Sequence, residues 1–290
     1  MQQAPFSDID LQPRLIYEDD WLFAVDKPAG LLVHPSWIAP ARTPNLVSWL
    51  KQRYPGETIH TVHRLDRATS GVMLFARDKA VAQALQLQFS ERRIEKTYLC
   101  VTRGWTPDAD VIDYALKPIH DRIADAHSEP DKPAQDAVTA YRRLGTVELP
   151  IAVGRYPRAR YSLVEVRPKT GRKHQIRRHM KHIFHPLVGD TNYGEGRHNR
   201  LFREHFGCHR LLLMATCLEF EHPVQGERMR LEAPVSPGVD QLFRQLGWSG
   251  LYPAVNGPNL ARIPASACPA GSAPGTPATG QYCAYTVTAD

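Results

Sequence analysis

The chain has 290 residues, 42% hydrophobic and 23% charged, enough apolar side chain for one large core or two modest ones and too much for a chain disordered throughout. Five cysteines, Cys100, Cys208, Cys217, Cys268 and Cys283, form an odd set without a CxxC pair, which argues against a disulfide framework and a zinc knuckle. The net charge of +6 and isoelectric point of about 9.1 permit an anionic partner without requiring one.

The opening MQQAPFSDID has neither a basic leader nor an apolar segment, and no aliphatic run is long enough to cross a bilayer. A cytoplasmic protein without membrane contact is expected, with residues 1–13 as a flexible N-terminus. Arg14 to Tyr17, an acidic turn at Glu18-Asp19-Asp20 and Trp21 to Val25 read as a hairpin, which Lys27-Pro28-Ala29-Gly30 ends. Leu46 to Tyr54 predicts a short helix with Leu46, Trp49, Leu50 and Arg53 on one face.

The stretch HRLDRATSG, His63 to Gly71, places Asp66 between Arg64 and Arg67, ahead of the apolar run Gly71 to Ala76. The acid is therefore expected on a loop anchored by a buried strand, and the adjacent positive charge is expected to lower its pKa and keep it ionised as a nucleophile or base. Asp followed by Thr and Ser also folds turns through side-chain to backbone hydrogen bonds, the competing reading of the same residues.

Asp78 to about Arg92 predicts a helix with Val81, Leu85 and Phe89 as its buried stripe, and Lys96 to Val101 a strand carrying Lys96, Tyr98 and Cys100 on one face. Residues 118–134 are polar and broken by Pro130 and Pro133, a surface loop. Val138 to Leu144 and Tyr161 to Val166 alternate as strands. Between them Arg155, Arg158 and Arg160 interleave with tyrosines, a mixture suited to RNA because guanidinium pairs with phosphate while aromatic faces stack on bases.

Arg172 to about Phe184 predicts a helix with Ile176, Met180 and Ile183 as its apolar seam, and Arg177 at the border between buried and wet faces. From Arg155 to Lys181 there are ten basic residues and one acid, Glu165, a net of +9 that leaves the rest of the chain at −3. Such a segment points to a phosphate-binding face. His174, His179, His182 and His185 raise the question of a metal, but no carboxylate or cysteine is close in sequence and cationic neighbours repel a divalent ion. Arg210 to Phe220 and Met229 to Ala233 read as strands, and Gly238 to Leu246 as a last helix. From Ser249 the chain is rich in Pro, Ala, Gly and Ser, so 14–248 is expected to be the folded domain and 249–290 a disordered tail.

Four segments taken in order, Asp26 to His34, HRLDRATSG, Lys96-Thr97-Tyr98 and Thr170 to His179, resemble the RluA family of pseudouridine synthases, which isomerise uridine in RNA. The likeness implies an α+β fold: a mixed, mostly antiparallel central sheet flanked by helices and loops, with the catalytic cleft across the middle. It implies Asp66 as the catalytic nucleophile or base, Tyr98 stacking on the target base and helping to manage the proton at C5, and Arg177 pairing with Asp66. Arg64, Arg155, Arg160, Arg172, Lys173, His174 and Arg178 are the expected RNA-binding residues, and one leucine of 211–213 is expected to close the pocket. No cofactor and no metal are implied, and a monomer is the default.

Within the family, the absence of an N-terminal RNA-binding module, the Val33-to-Trp37 segment, the Gly154-to-Pro157 insertion and the run Gly189 to Arg200 imply tRNA as substrate and uridine 65 of its T stem as target. Pro35, where a basic residue is expected, departs from that pattern. The alternatives are an rRNA-directed enzyme of the same family, an RNA-binding protein without turnover, and a metal-dependent hydrolase using the histidines.

Overall fold

The computed structural model describes residues 12–35, 43–119, 132–252 and 261–262. Among these residues eleven strands join in one sheet: β1 (Arg14–Glu18), β2 (Leu22–Lys27), β3 (His60–Thr61), β4 (Ser70–Ala76), β5 (Glu95–Arg103), β6 (Ala109–Asp113), β7 (Val138–Leu149), β8 (Ala159–Pro168), β9 (Leu213–Glu221), β10 (Arg228–Glu232) and β11 (Ala261–Arg262). The main path runs β1-β2-β4-β9-β5-β8-β7-β6, with β3, β10 and β11 pairing off it. The described residues also form five helices around the sheet: α1 (Leu46–Arg53), α2 (Lys79–Ser90), α3 (Gln175–His182), α4 (Gly196–Phe206) and α5 (Pro237–Gln245).

Among the described residues every strand pair is antiparallel except β4 with β9, which meet over only two residue pairs, Ser70–Met214 and Gly71–Ala215. That short central contact joins the two halves of the sheet. Gly71 is what permits it. Its φ is +114°, and a Cβ there would stand 2.0 Å from the Ala215 carbonyl oxygen, a conformation and an approach open only to glycine.

Strand alternation sorts the apolar residues onto opposite faces. In the C-terminal half, Leu99, Val101, Tyr161, Leu163 and Met214 pack with α4 and α5, whereas Cys100, Val164, Val166, Leu211 and Leu213 pack with Ile176 and Met180 of α3. In the N-terminal half, Leu22, Ala24, Val72 and Leu74 pack with α2, whereas Phe23, Val25, Met73 and Phe75 pack with Leu46 and Leu50 of α1. Tyr98 touches both the α1 and the α3 clusters. It therefore marks the seam between the halves.

Local chemistry explains the ends of the elements. Asp19 nucleates the first hairpin turn by accepting from the Trp21 and Leu22 amides at 2.8 Å each, and also takes Tyr17 Oη and His222 Nε2. Asn45 and Asp78 cap α1 and α2 through their side chains. The helix predicted from Arg172 begins only at Gln175, because His174 is left-handed at φ 57°. The preceding turn is held by the Gln175 carboxamide, which accepts from Thr170 Oγ1 and the Arg172 amide and donates to Val138 O and Thr139 Oγ1.

Two elements escape the sequence patterns. β6 buries only Ile112, and α4, GRHNRLFREHF, buries only Asn199, Leu201 and Phe202, so neither shows a clear apolar period. Packing continues past the boundary expected at 248. Tyr252 packs on Phe243 at 5.0 Å and its hydroxyl donates to Asp240 at 2.6 Å, and β11 adds to β10, so ordered contacts outlast the shift to Pro- and Gly-rich composition. Most of the predicted 118–134 loop, the residues Ser36 and Trp37, and the rest of the predicted tail lie outside the described residues.

Candidate active site

HRLDRATSG builds a loop whose ends are fixed by its own residues. His63 Nε2 accepts the Leu74 amide at 2.9 Å and its ring stacks on Phe89 at 4.6 Å; burial pushes its pKa down to about 3, so it is neutral. Leu65 and Thr69 are buried. The turn is closed by the Asp66 backbone carbonyl, which accepts from the Thr69 amide at 3.1 Å. The Asp66 side chain is thus spared from folding the turn, and the turn-former reading gives way.

The loop is laced to the segment after β2. Gly30 N donates to Arg67 O at 2.8 Å and Arg67 Nε returns to Gly30 O at 2.9 Å. Beneath it Lys27, fully buried, donates to the carbonyls of Pro28, Leu31 and Arg67 at 2.9, 3.0 and 3.2 Å. Burial, reinforced by the Arg210 charge, pushes the Lys27 ammonium down to about 7. This buried amine ties the DKPAG turn to the carbonyl next to Asp66.

Neither arginine flanking Asp66 in sequence pairs with it. Arg64 is exposed and Arg67 turns back to Gly30. The partner comes from α3: Arg177 Nη1 donates to Asp66 Oδ2 at 3.1 Å. The other edge of the guanidinium makes a bidentate pair with Asp190, Nε to Oδ2 at 2.6 Å and Nη2 to Oδ1 at 2.9 Å. Asp190, fully shielded from solvent, also accepts the Asn192 and Tyr193 amides. Burial alone would raise its pKa, but the Arg177 contacts and these amides hold it below the usual carboxylate range. Asn199 of α4 donates to Asp190 O and accepts from Gly189 N, both at 2.8 Å, and so fixes that loop.

Sequence reasoning missed Asp190 as Arg177's anchor. It lies in a segment already set apart, His185 to Asp190, and the signal that could have found it was an acid following Val188-Gly189 inside an apolar stretch. Tyr98 lies close enough to sense the Asp66 charge; burial first, then that charge, pushes its phenol far above the ordinary value. Its hydroxyl has no hydrogen-bond partner among the described residues. Of the three candidate leucines, Leu211 and Leu213 lie in the α3 cluster that Tyr98 touches, and Leu212 points to the opposite face.

The expected RNA-binding residues divide. His174 stands at the carboxylate, its Nε2 3.6 Å from Asp66 Oδ2. Lys173 and Arg178 of the same segment have no carboxylate partner among the described residues, and the Arg172 guanidinium donates to the Asp136 carbonyl and to no carboxylate. Arg155 stacks on Tyr156 at the β7–β8 turn. Arg160, by contrast, shares Glu148 with Arg158 and lies over Trp105 at 4.3 Å, so its charge is partly spent. The remaining histidines have other partners: His179 bonds Thr139 Oγ1 and Tyr114 O, His182 stacks on Tyr114 at 3.7 Å, and His185 bonds Arg103 O. Among the described residues no group of three or more metal-ligating side chains converges.

A loop-borne aspartate, an α3 arginine clamp and a half-buried phenol come together at the central seam of this mixed sheet. A family profile described as RNA pseudouridylate synthase matches residues 21–182; the chain belongs to that family. It is 48% identical over 243 residues to tRNA pseudouridine synthase C of Pectobacterium carotovorum subsp. carotovorum, covering 84% of this chain and 64% of that one. It is 47% identical over 234 residues to tRNA pseudouridine synthase C of Vibrio parahaemolyticus, covering 81% and 95%. The structure of human RNA pseudouridylate synthase domain containing 1 superposes with a TM-score of 0.60 at 25% identity, over 84% of this chain and 98% of that one. Human RNA pseudouridylate synthase domain containing 4 gives 0.61 at 25% identity, over 80% and 92%. The protein is a pseudouridine synthase of α+β fold, an isomerase. None of the helices among the described residues is long and apolar enough to cross a membrane.

Proposed function

We propose that this pseudouridine synthase acts on tRNA, with uridine 65 of the T stem as its target, and that Asp66 is the catalytic group. The observation that carries the reading is the Asp66–Arg177–Asp190 arrangement at the seam of the sheet; the choice of tRNA is supported by relatives named for that substrate at 47–48% identity. The rRNA-directed alternative has no observation of its own in its favour.

The reaction breaks the bond from N1 of uracil to C1′, turns the base, and joins C5 to C1′, while the C5 proton is lost and N1 is protonated. No electrons enter or leave. What the site must supply is a flipped nucleotide, a carboxylate at the sugar and a surface for the free base. Asp66 supplies the carboxylate. Arg177 restrains it through a planar fork that a lysine could not reproduce. Tyr98, half-buried and with its phenol held protonated, offers its ring face to the base and can accept the C5 proton only after releasing its own. Leu211 or Leu213 closes the apolar side. The described cysteines are free thiols, consistent with a reducing, cytoplasmic setting.

The test is tritium release from C5-labelled uridine in a tRNA transcript. Release is expected, and is expected to vanish when uridine 65 is replaced by cytidine. Release confined to rRNA would overturn the tRNA reading, and release from neither RNA would remove Asp66 from any catalytic role.

Lys173, Arg178 and Arg172 border the site on the α3 side, where phosphates would pass. Alanine at Arg172 or Arg178 is expected to weaken RNA binding and to flatten the slope of log Kd against log salt by roughly one unit for each phosphate no longer neutralised. A slope equal to that of the wild type, measured by filter binding across a salt series, would rule out a phosphate at that side chain. Alanine at Arg160, already paired with Glu148, is expected to change the slope least.

A further inference from the structure

Arg177 and His174 converge on one oxygen of Asp66, Oδ2, at 3.1 and 3.6 Å. Among the described residues no donor reaches Oδ1. His174 is itself held: its Nδ1 lies 3.0 Å from the Tyr193 hydroxyl. Tyr193 is fixed through its own amide, which donates to Asp190 Oδ1 at 3.0 Å, and its ring lies 5.1 Å from the Arg177 guanidinium carbon. Asp190 therefore anchors both arms that approach the catalytic carboxylate. Resting on the enzymatic reading above, we infer that His174, oriented by Tyr193, is a positioning residue that fixes Asp66 through Oδ2 and leaves Oδ1 to the substrate.

The direction of the Tyr193 hydrogen bond follows from electrostatics. If Nδ1 donated to the tyrosine, the Nε2 lone pair would face a carboxylate. With Tyr193 donating to Nδ1, the imidazole proton sits on Nε2 and points at Asp66. Burial lowers the His174 pKa against the pull of Asp66, with the Arg177 and Lys173 charges helping to lower it, so the neutral tautomer is the relevant species. At 3.6 Å the Nε2–Oδ2 separation is longer than a hydrogen bond; catalytic hydrogen bonds of this kind commonly tighten when substrate enters.

The backbone supports a dedicated placement. His174 sits at φ 57° and ψ 27°, a region sparsely used by residues with a β-carbon. The surrounding turn enforces it, since Gln175 ties together Thr170, Arg172 and Val138. Such outliers persist where the neighbouring structure over-determines them and gather at functional sites.

His174→Gly suits the left-handed backbone and removes only the side chain, so the fold should be retained. Its single-turnover rate on the tRNA transcript is expected to fall roughly 10–100-fold with RNA Kd within about twofold of wild type, the size of effect that supporting residues around a site usually show. His174→Gln is expected to recover most of the rate, because its amide nitrogen falls near the position of Nε2. His174→Asn, whose shorter amide matches Nδ1 and stops short of Asp66, is expected to behave like glycine. Tyr193→Phe should fall in between. A wild-type rate for His174→Gly, a defect confined to Kd, or equal rates for Gln and Asn would each overturn the inference. The tautomer is read without substrate from the 15N shifts of the His174 ring, where a protonated Nε2 is expected and a protonated Nδ1 would overturn it. If the unmutated enzyme turns over no RNA, the functional reading fails while the ring shifts still decide this one.

Discussion

Asp66→Asn is expected to leave a folded, RNA-binding protein that isomerises uridine at least ~10⁴-fold more slowly, the range seen when the central group of a catalytic unit is removed. The fold should survive for a specific reason: the Asp66 loop closes through a backbone carbonyl, and its anchors are Lys27, His63 and Arg67. The asparagine oxygen can still accept from Arg177 Nη1, so geometry is largely kept while the negative charge is removed. Single-turnover tritium release, with Kd measured in parallel, separates the two effects. Retained turnover in Asp66→Asn would mean that the carboxylate is only a scaffold and that the chemistry lies elsewhere.

The second large effect is expected at Arg177, through stability as well as rate. Arg177→Met leaves Asp190, fully shielded from solvent, as a buried carboxylate without its cation, and breaking a buried pair from one side costs ~3–5 kcal/mol. The same change releases Asp66, so the remaining folded protein should also be nearly inactive. Arg177→Lys keeps a positive charge but cannot span two carboxylates with one planar group. It is expected to recover part of the stability and little of the rate. Urea denaturation and single-turnover kinetics on both variants make the comparison, and a Met variant as stable as wild type would show that the clamp contributes nothing to the fold.

The pH dependence of this stabilisation has a definite sign. Asp190 is depressed in the folded protein, so its contribution is complete above the unfolded aspartate value of roughly 4 and is lost as pH falls through the lower folded value. Acid titration of Asp190→Asn should lack that component of the stability loss.

The sequence by itself determined which residues are the candidates for the chemistry and how most of the chain is patterned. The buried strand after HRLDRATSG, the apolar seam of α3 and the opening hairpin are local signals, since a strand or helix writes its period into consecutive residues. Resemblance in four ordered segments led from those signals to Asp66, Tyr98 and Arg177. Only the tertiary structure decided who pairs with whom. Sequence proximity nominated Arg64 and Arg67 as the charges beside Asp66, yet a loop points neighbouring side chains in different directions, and the cation came from 111 residues away.

Asp190 and Tyr193 stayed hidden for the same reason: a buried acid has no periodic signature, and its role exists only once α3 and the following loop are packed together. The basic run was legible as charge but not as available charge, because Glu148 takes up Arg158 and Arg160 while Lys173 and Arg178 have no carboxylate partner among the described residues. Pattern is a one-dimensional property and was read directly. Pairing depends on distances that exist only after the sheet has brought β4, β9 and β5 side by side.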